Sequence, residues 1–218
     1  VLHFSKDNGL TWSEPVVANN SPIDDRDAGV ISLGGQRLLV SWFTSDTRIY
    51  WDRADRMRQS LGEDLFNRYM AETRAWDDKI VHDNLGSWTM LSDDGQNWSK
   101  PAQAPVTAPH GPILLAGGDL CYFGKAVPAG SRFHTGLAGG PIQCARSRDI
   151  GKTWSVVGEV PIRSDTENAN YHEPHIIELP SGRLVGMIRY QYSEKVQKYD
   201  RLTIFQTESD DGGHTWTE

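Results

Sequence analysis

Apolar residues in this chain come in short runs separated by glycine-rich turns, a pattern typical of antiparallel hairpins. Three hairpins are predicted, at residues 30–40, 113–121 and 176–185, each with apolar strands on both sides of a tight turn. A further strand is predicted over residues 202–207. These runs predict an all-β fold made of short antiparallel strands.

One segment, at about residues 45–85, departs from this pattern. Its apolar residues recur at helical spacing and predict one apolar helix face: Leu61, Leu65, Phe66, Tyr69, Met70 and Trp76. The run from Ser60 to Glu63 has the form of a capping box, which predicts a helix start. We expect a helical insertion that either packs on its own sheet or forms a wall beside a substrate pocket. In the second case Trp51 or Trp76 is available to stack on a sugar.

One turn sequence occurs four times between predicted strands. Serine, aspartate, glycine, threonine and tryptophan recur at fixed spacing in residues 5–12, 147–154 and 209–216. A degenerate copy at 91–98 keeps the aspartate, as Asp93, with the glycine and tryptophan, but lacks the first serine. An aspartate side chain can accept hydrogen bonds from nearby backbone amides, and glycine supplies a left-handed conformation. A unit of about 60 residues suits a four-stranded blade of a β-propeller.

The end of each blade opposite these turns carries candidate functional residues. In a four-stranded antiparallel blade the first and third turns lie at one end, so the remaining loops lie at the other end, which we call the rim. Counting back from the turn at Ser181 places Glu173 opposite Arg189 at the rim. An ordinary strand-end ion pair is the alternative interpretation.

The same count in the other two blades brings further polar residues to the rim. It places His110 opposite Lys125 in the second blade. In the first blade it places Asp27, preceded by Arg26, opposite position 43 or 44. We treat all four as candidate substrate-binding residues, with solvated loop charge as the alternative.

The repeated turn resembles the Asp box of the sialidase (BNR) superfamily. Residues 170–189 look like the sialidase hairpin that begins with a catalytic glutamate and ends with an arginine. The resemblance implies a six-bladed propeller, of which residues 1–218 are a part of about three to four blades. It also implies a retaining exo-glycosidase for a terminal acidic sugar, sialic acid. Glu173 would then activate a tyrosine nucleophile, and Arg189 would be one of three arginines that bind the sugar's carboxylate.

The resemblance leaves other functions open. The tyrosine nucleophile, the acid/base aspartate and the other two arginines of the family fall outside this chain, so we expect the remaining blades to come from a longer chain or a partner chain. His110 and Lys125 are not part of the sialidase pattern. They leave room for a hydrolase or lyase acting on another acidic glycan, such as a uronate or a sulfated sugar. A non-catalytic propeller that binds carbohydrate or protein is the third hypothesis, because the box alone indicates a blade and not a reaction.

The composition limits the classes of partner that we expect for this chain. With 29 acidic and 22 basic residues, the formal charge of −7 favours neither nucleic acid nor an anionic membrane surface. No run is long and apolar enough for a transmembrane helix, and residues 1–4 lack the features of a signal peptide. No metal-ligand spacing or phosphate-binding glycine loop occurs, so we expect no cofactor. Cys121 and Cys144 are predicted to be buried free thiols on neighbouring strands. The substrate class favours a secreted or periplasmic location.

Overall fold

The computed structural model describes residues 1–127, 140–191 and 202–218, and its strands form three antiparallel sheets. Sheet 1 consists of β1 (Asp24–Ser32), β2 (Leu38–Ser45), β3 (Ser87–Ser92) and β4 (Ala102–Ala104). Sheet 2 consists of β5 (Val106–Thr107), β6 (Ile113–Leu114), β7 (Leu120–Ala126), β8 (Ile142–Ser147) and β9 (Ser155–Glu159). Sheet 3 consists of β10 (Tyr171–Glu178), β11 (Leu184–Gln191) and β12 (Leu202–Ser209), and a 3-10 turn, Asn168–Asn170, precedes it.

The sheets stack face to face in chain order. Residues 1–22 form a small hairpin, in which Leu2 pairs with Val16, and it packs on the apolar face of sheet 1 around Trp42. A second cluster, which includes Ala104 and Tyr122, lies where sheet 1 meets sheet 2. A third joins sheets 2 and 3 through buried side chains: Phe123, Ile142, Ile176, Leu184, Ile188 and Trp216. Consecutive antiparallel sheets stacked in this way are the arrangement of propeller blades.

The fold is mostly β, with 38% of the described residues in strands and 19% in helices. The helices are concentrated between β2 and β3: a 3-10 helix (Thr47–Arg53), α1 (Ala54–Leu61), α2 (Glu63–Arg74) and α3 (Asp78–Asn84). The expected capping box is wrong, because Ser60 lies in the last turn of α1. Gly62, with a φ of 79°, separates the two helices, and α2 begins at Glu63 without a side-chain cap. The predicted apolar face is also only partly buried, since Phe66 is buried whereas Leu65 is 54% exposed.

The four repeated turns share one hydrogen-bond pattern. In the turn after β8, the Asp149 carboxylate accepts hydrogen bonds from the Ser147 hydroxyl and from both the amide and the hydroxyl of Thr153. The structure corrects the degenerate copy. Ser92 donates to Asp94, not Asp93, so the copy keeps its serine and is one residue shorter between the aspartate and the glycine.

The two cysteines, Cys121 on β7 and Cys144 on β8, are free and fully buried in the cluster between sheets 2 and 3. Their sulfur atoms lie 3.1 Å apart. The contact with Cys144 and burial raise the pKa of Cys121, so this thiol stays protonated at neutral pH.

Candidate functional site

Two bulged strands place acidic residues at the rim. In β1 the pairing with β2 slips by one residue around Asp27, and in β10 the pairing with β11 slips by one residue around Glu173. Both acidic residues have a left-handed backbone, with φ of 46° at Asp27 and 45° at Glu173. A bulge re-aims a side chain, and a left-handed backbone is strained in a residue other than glycine. The same strained bulge, with an acidic residue in it, therefore occurs at matching positions of two sheets. For this reason we take the rim as the candidate functional site.

The first strand of sheet 2 is interrupted at the same level. Its two parts, β5 and β6, both pair with β7, and residues 108–112 loop out between them. The Tyr122 hydroxyl holds this loop, because it contacts the backbone nitrogen and oxygen of Ala108 at 3.3 and 3.2 Å. His110 lies in the loop. The regular pairing of the first strand is therefore interrupted at the rim in every described sheet, by a bulge in sheets 1 and 3 and by a loop in sheet 2. Each of these three breaks carries a titratable side chain, Asp27, Glu173 or His110.

These three breaks lie against one another. A Cβ atom on Gly29 would lie 2.9 Å from the carbonyl oxygen of His110, so glycine is required for this close approach of sheets 1 and 2. The His110 ring packs edge-on against the His175 ring, with centroids 5.3 Å apart, and this contact joins sheets 2 and 3. Burial, together with the nearby His110, lowers the pKa of His175 and favours its neutral form at pH 7.

Glu173 and Arg189 form an ion pair at this surface. The predicted register is wrong, since His172 is the residue opposite Arg189 and the bulge adds one residue to β10. The side chains nevertheless meet. Arg189 Nη1 donates to Oε1 of Glu173 at 2.6 Å, and its Nη2 donates to Oε1 of Gln191 at 2.8 Å. The side chains of Arg189 and Glu173 are 38% and 44% exposed, so a ligand can reach both.

An open cavity of about 710 Å³ adjoins the ion pair; we call it the rim cavity. Its walls combine the ion pair, the two imidazoles and an apolar side: Glu173, Arg189, His110, His175, Met187, Leu202, Thr203 and Ile204. A guanidinium group binds carboxylate or sulfate through a fork of two N–H donors. An apolar wall with a few polar groups is typical of small-molecule sites. The rim cavity therefore has the chemistry to hold a sugar that carries an anionic group.

Lys125 does not line the rim cavity. Thr107, and not His110, is its partner across the strands. The register next to the turn already differs from the predicted one by one residue, and the loop at 108–112 adds two more residues to the first strand. The Lys125 residue is only 2% exposed, and its Nζ donates to the carbonyl oxygen of Asn168 at 2.9 Å. Burial lowers the pKa of Lys125 to about 8. Lys125 therefore links sheet 2 to the segment that leads into β10.

Asp27 and Arg26 lie at a different cavity. Arg26, and not Asp27, is opposite Phe43, because the bulge again shifts the register by one residue. Asp27 and Arg26 both line a small cavity of about 140 Å³ on sheet 1. Arg26 also pairs with Asp24 at 3.6 Å, and burial raises the pKa of the Asp24 carboxyl group. These residues are thus separate from the ion pair of sheet 3.

His175 is the rim residue that the sequence analysis overlooked. His175 lies two residues after Glu173. Counting strand pairs from the turn, on the assumption of regular pairing, gives no reason to select it. Pro174, which stands between them, is a possible signal. Proline cannot donate to the strand ladder, and within sheets it is found at edges and bulges.

No metal centre is found in the described ranges: none of their His, Cys, Asp and Glu side chains form a group of three or more that could hold an ion. In the same ranges no helix has the length and apolar character needed to cross a membrane.

No protein-family model and no curated protein sequence matches this chain. Among solved structures, it is similar to a protein of unknown function from Dyadobacter fermentans, with a TM-score of 0.64 and 18% identity over 99% of this chain and 56% of that one. It is also similar to a Hadza microbial sialidase, with a TM-score of 0.57 and 18% identity over 99% of this chain and 39% of the sialidase. A third similar structure is an α-L-arabinofuranosidase from Fusarium graminearum, with a TM-score of 0.53 and 14% identity over 89% of this chain and 47% of that enzyme.

The chain therefore spans about half the length, or less, of these proteins. At such identities the likeness concerns the fold alone. The stacked antiparallel sheets of this chain belong to a propeller fold that glycoside hydrolases of different specificity also use.

Proposed function

We propose that this chain is part of a sialidase-like exo-glycosidase that removes a terminal acidic sugar, sialic acid, from glycans. The ion pair of Glu173 and Arg189 carries the proposal. Its carboxylate is presented by a strained bulge, and both side chains are reachable from the rim cavity. A strained backbone at a binding cavity is typical of a functional site.

Arg189 is proposed to bind the carboxylate of the sugar. Its two terminal nitrogens donate to the side-chain oxygen atoms of Glu173 and Gln191. These two hydrogen bonds fix the orientation of the guanidinium group. Gln191 is neutral and exposed, so a substrate carboxylate can replace its amide oxygen and form a stronger, charge-assisted bond.

Glu173 is proposed to act as the base for a tyrosine nucleophile. A neutral tyrosine suits an anionic sugar, whereas a carboxylate nucleophile would be repelled by it. As the phenol oxygen attacks the anomeric carbon, its proton passes to Glu173 and the leaving group takes a proton from an acid. Water then hydrolyses the glycosyl intermediate. The tyrosine, the acid and the other two arginines are proposed to lie in the remaining blades of a six-bladed propeller, from the full-length chain or a partner chain.

The other candidate residues have smaller proposed roles. His110 lines the rim cavity and can donate a hydrogen bond to the sugar. Lys125, which is buried, is proposed to support the segment before β10. Asp27 and Arg26 can bind the substrate directly only if it extends from the rim cavity to the small cavity on sheet 1.

Two substitutions in the full-length protein test the proposal. Arg189→Ala should raise the KM for a fluorogenic sialoside, because it removes the charge-assisted fork. Glu173→Gln should leave binding nearly intact but lower kcat by roughly 10²-fold or more, the usual effect of losing a general base. Steady-state kinetics on a fluorogenic sialoside, uronide and arabinoside would measure both effects and the preference among sugars.

Arg183→Ala is a matched control. Arg183 belongs to the same hairpin and forms an exposed ion pair with Asp210, but at the end that carries the repeated turns. Its loss should leave kinetics unchanged. If the Glu173 and Arg189 variants also keep wild-type kinetics and only melt at lower temperature, the rim pair is structural and the proposal is wrong.

A second candidate function is a lyase acting on a uronate-containing glycan. The observation that favours it is the contact between His110 and His175 in the cavity that Arg189 also lines. The neutral imidazole of His175 can remove the proton next to a carboxylate bound by Arg189, after which the carbon–carbon double bond forms, the glycosidic C–O bond breaks and the leaving oxygen takes a proton from an acid or water. A lyase would release an unsaturated sugar with a new ultraviolet absorbance, whereas a sialidase would release free sialic acid. Failure to process either substrate would favour a non-catalytic glycan-binding propeller.

A further inference from the structure

A second large cavity, of about 720 Å³, lies between the helical segment and the start of β1; we call it the insertion cavity. One wall comes from residues 20–24 and Arg26 at the beginning of β1, and the other from the 3-10 helix, α1 and the α2 region. The side chains that matter for its chemistry are of two kinds, aromatic and charged: Tyr50, Tyr69, Trp76, Asp24, Arg26 and Glu72. None of them lines the rim cavity.

Hydrogen bonds hold the helical wall of this cavity in place. The Tyr69 hydroxyl donates to the carbonyl oxygen of Thr47, which joins α2 to the 3-10 helix. The Trp51 indole N–H donates to the Thr73 hydroxyl at 3.0 Å, and that hydroxyl donates to the Tyr69 carbonyl oxygen at 2.9 Å. Burial raises the pKa of Tyr69, so its hydroxyl remains a donor at neutral pH. The cavity is therefore preformed.

The helical segment is also attached to sheet 1 at its two ends. Arg48 pairs with Asp46 at 2.8 Å, directly after β2, and with Asp78 of α3 at 2.7 Å. The Thr44 hydroxyl on β2 donates to the carbonyl oxygen of Asn84, the last residue of α3. Movement of the helices away from the sheet would break these contacts, so the two walls keep their spacing.

The lining has the composition of a sugar-binding site. Aromatic rings can cover the apolar C–H faces of a sugar, and carboxylate and guanidinium groups can bind its hydroxyls. Asp24 and Glu72 supply two carboxylates against the single guanidinium of Arg26, so the charged wall has a net negative charge. Such a wall repels an anionic sugar and favours a neutral one.

We propose that the insertion cavity is a second carbohydrate site, which binds a neutral sugar through the aromatic rings of its helical wall and the charged groups Asp24, Arg26 and Glu72. Arg26 lines both this cavity and the small cavity at Asp27, so the second site adjoins the rim at sheet 1. If the proposed function holds, the site retains the neutral part of a glycan whose acidic end is cleaved. Binding itself does not depend on that function.

Titration calorimetry on the full-length protein tests this site directly. The probes are lactose, cellobiose and arabinobiose as neutral disaccharides, with free sialic acid and glucuronic acid as anionic sugars. We expect at least one neutral disaccharide to bind, and Glu72→Gln and Trp76→Ala each to weaken it by about 10-fold or more, or about 1.4 kcal/mol. Because Trp76→Ala removes a large side chain, Trp76→Phe is included. It should keep part of the affinity and retain the wild-type circular dichroism.

Trp12→Ala is the matched control. Trp12 is 62% exposed in the first repeated turn, far along the chain from the helical segment, and its loss should leave the affinity unchanged. The proposal is overturned if no neutral disaccharide binds, if the anionic sugars bind better in the same site, or if folded Glu72→Gln and Trp76→Phe variants keep wild-type affinity. Glu173→Gln separates the two proposals. It should lose turnover but still bind the neutral disaccharide, and loss of turnover alone would leave the insertion cavity proposal intact.

Discussion

Acidic residues have different surroundings at the two ends of the sheets. At the repeated turns Asp149 accepts three hydrogen bonds from its own turn, and the hydroxyl and amide of Thr153, with Ser147, lower its pKa to about 2. Within the described ranges, the Asp27 side chain at the rim has no hydrogen bond or ion pair, and that of Glu173 forms one ion pair, with Arg189. The turn carboxylates thus stabilise local structure, whereas the rim carboxylates remain available to a ligand.

Removing a turn carboxylate tests the first half of this comparison and should give the largest change in stability. Asp149→Ala removes a side chain that satisfies two hydroxyls and a backbone amide, as an N-cap residue does in a helix. We expect the melting temperature to fall by roughly 4 °C with kcat unchanged. Glu173→Ala should lower it by no more than about 2 °C, because an exposed ion pair contributes little. A large fall for Glu173→Ala and none for Asp149→Ala would reverse the comparison.

Acid tests the turn carboxylates in a second way. Hydrogen bonds from Thr11 and Thr153 lower the pKa values of Asp7 and Asp149 in the folded state to about 2, below the ordinary value of 3.8 for an aspartate. Their contribution to stability is therefore complete above about pH 4 and is lost as the pH falls from about 4 to 2. Melting temperatures between pH 2 and 6 should drop less steeply in Asp149→Asn than in the wild type.

Relief of backbone strain gives expected effects no larger than the loss of a turn carboxylate, and it sharpens the comparison. Ile150 in the third turn has a left-handed backbone with φ of 62°, which is unfavourable for a β-branched residue, and the equivalent position of the first turn is Asn8, at 58°. Ile150→Asn should raise the melting temperature by about 2–4 °C, for a gain near 1 kcal/mol, without a change in activity.

Asp27→Gly is the matched change at the rim. It should raise the melting temperature by a similar or smaller amount, because glycine accepts the left-handed backbone but has a more flexible unfolded chain. Thermal unfolding of both variants, with kinetics, would show whether strain at the rim is tied to function. If Asp27→Gly is less stable than the wild type, Asp27 stabilises the fold and belongs with the turn carboxylates.

In the third hairpin the sequence predicted the register well between the turn and the bulge, whereas in the second hairpin the register is off by one residue already at the turn. Counting from Ser181 correctly pairs His175 with Met187, and it fails from Glu173 back to Tyr171, because the bulge shifts the register by one residue. The failure has a physical origin. An extra residue in a strand depends on contacts with the neighbouring sheet, such as that between Gly29 and the carbonyl group of His110, and single-strand patterns carry no information about them.

Short sequence motifs also gave wrong assignments where two candidate residues or helix boundaries lay close together in the chain. Asp93 and Asp94 are both candidates for the second repeated turn, and only the hydrogen bond from Ser92 selects Asp94. The capping box at Ser60 was matched by sequence, but the left-handed Gly62 divides it between two helices. Such choices depend on backbone conformation, which a short motif only biases.

By itself the sequence determined the strands, the repeated turns and the presence of acidic and basic residues at strand ends, because these follow from side-chain alternation and from local hydrogen bonds. Tertiary structure alone decided which of those residues share a cavity. Stacking of the sheets buries Lys125, brings His110 against His175, and leaves Glu173 and Arg189 exposed. The physical reason is that burial and the contacts between sheets join residues far apart in the chain, and no local pattern specifies that packing.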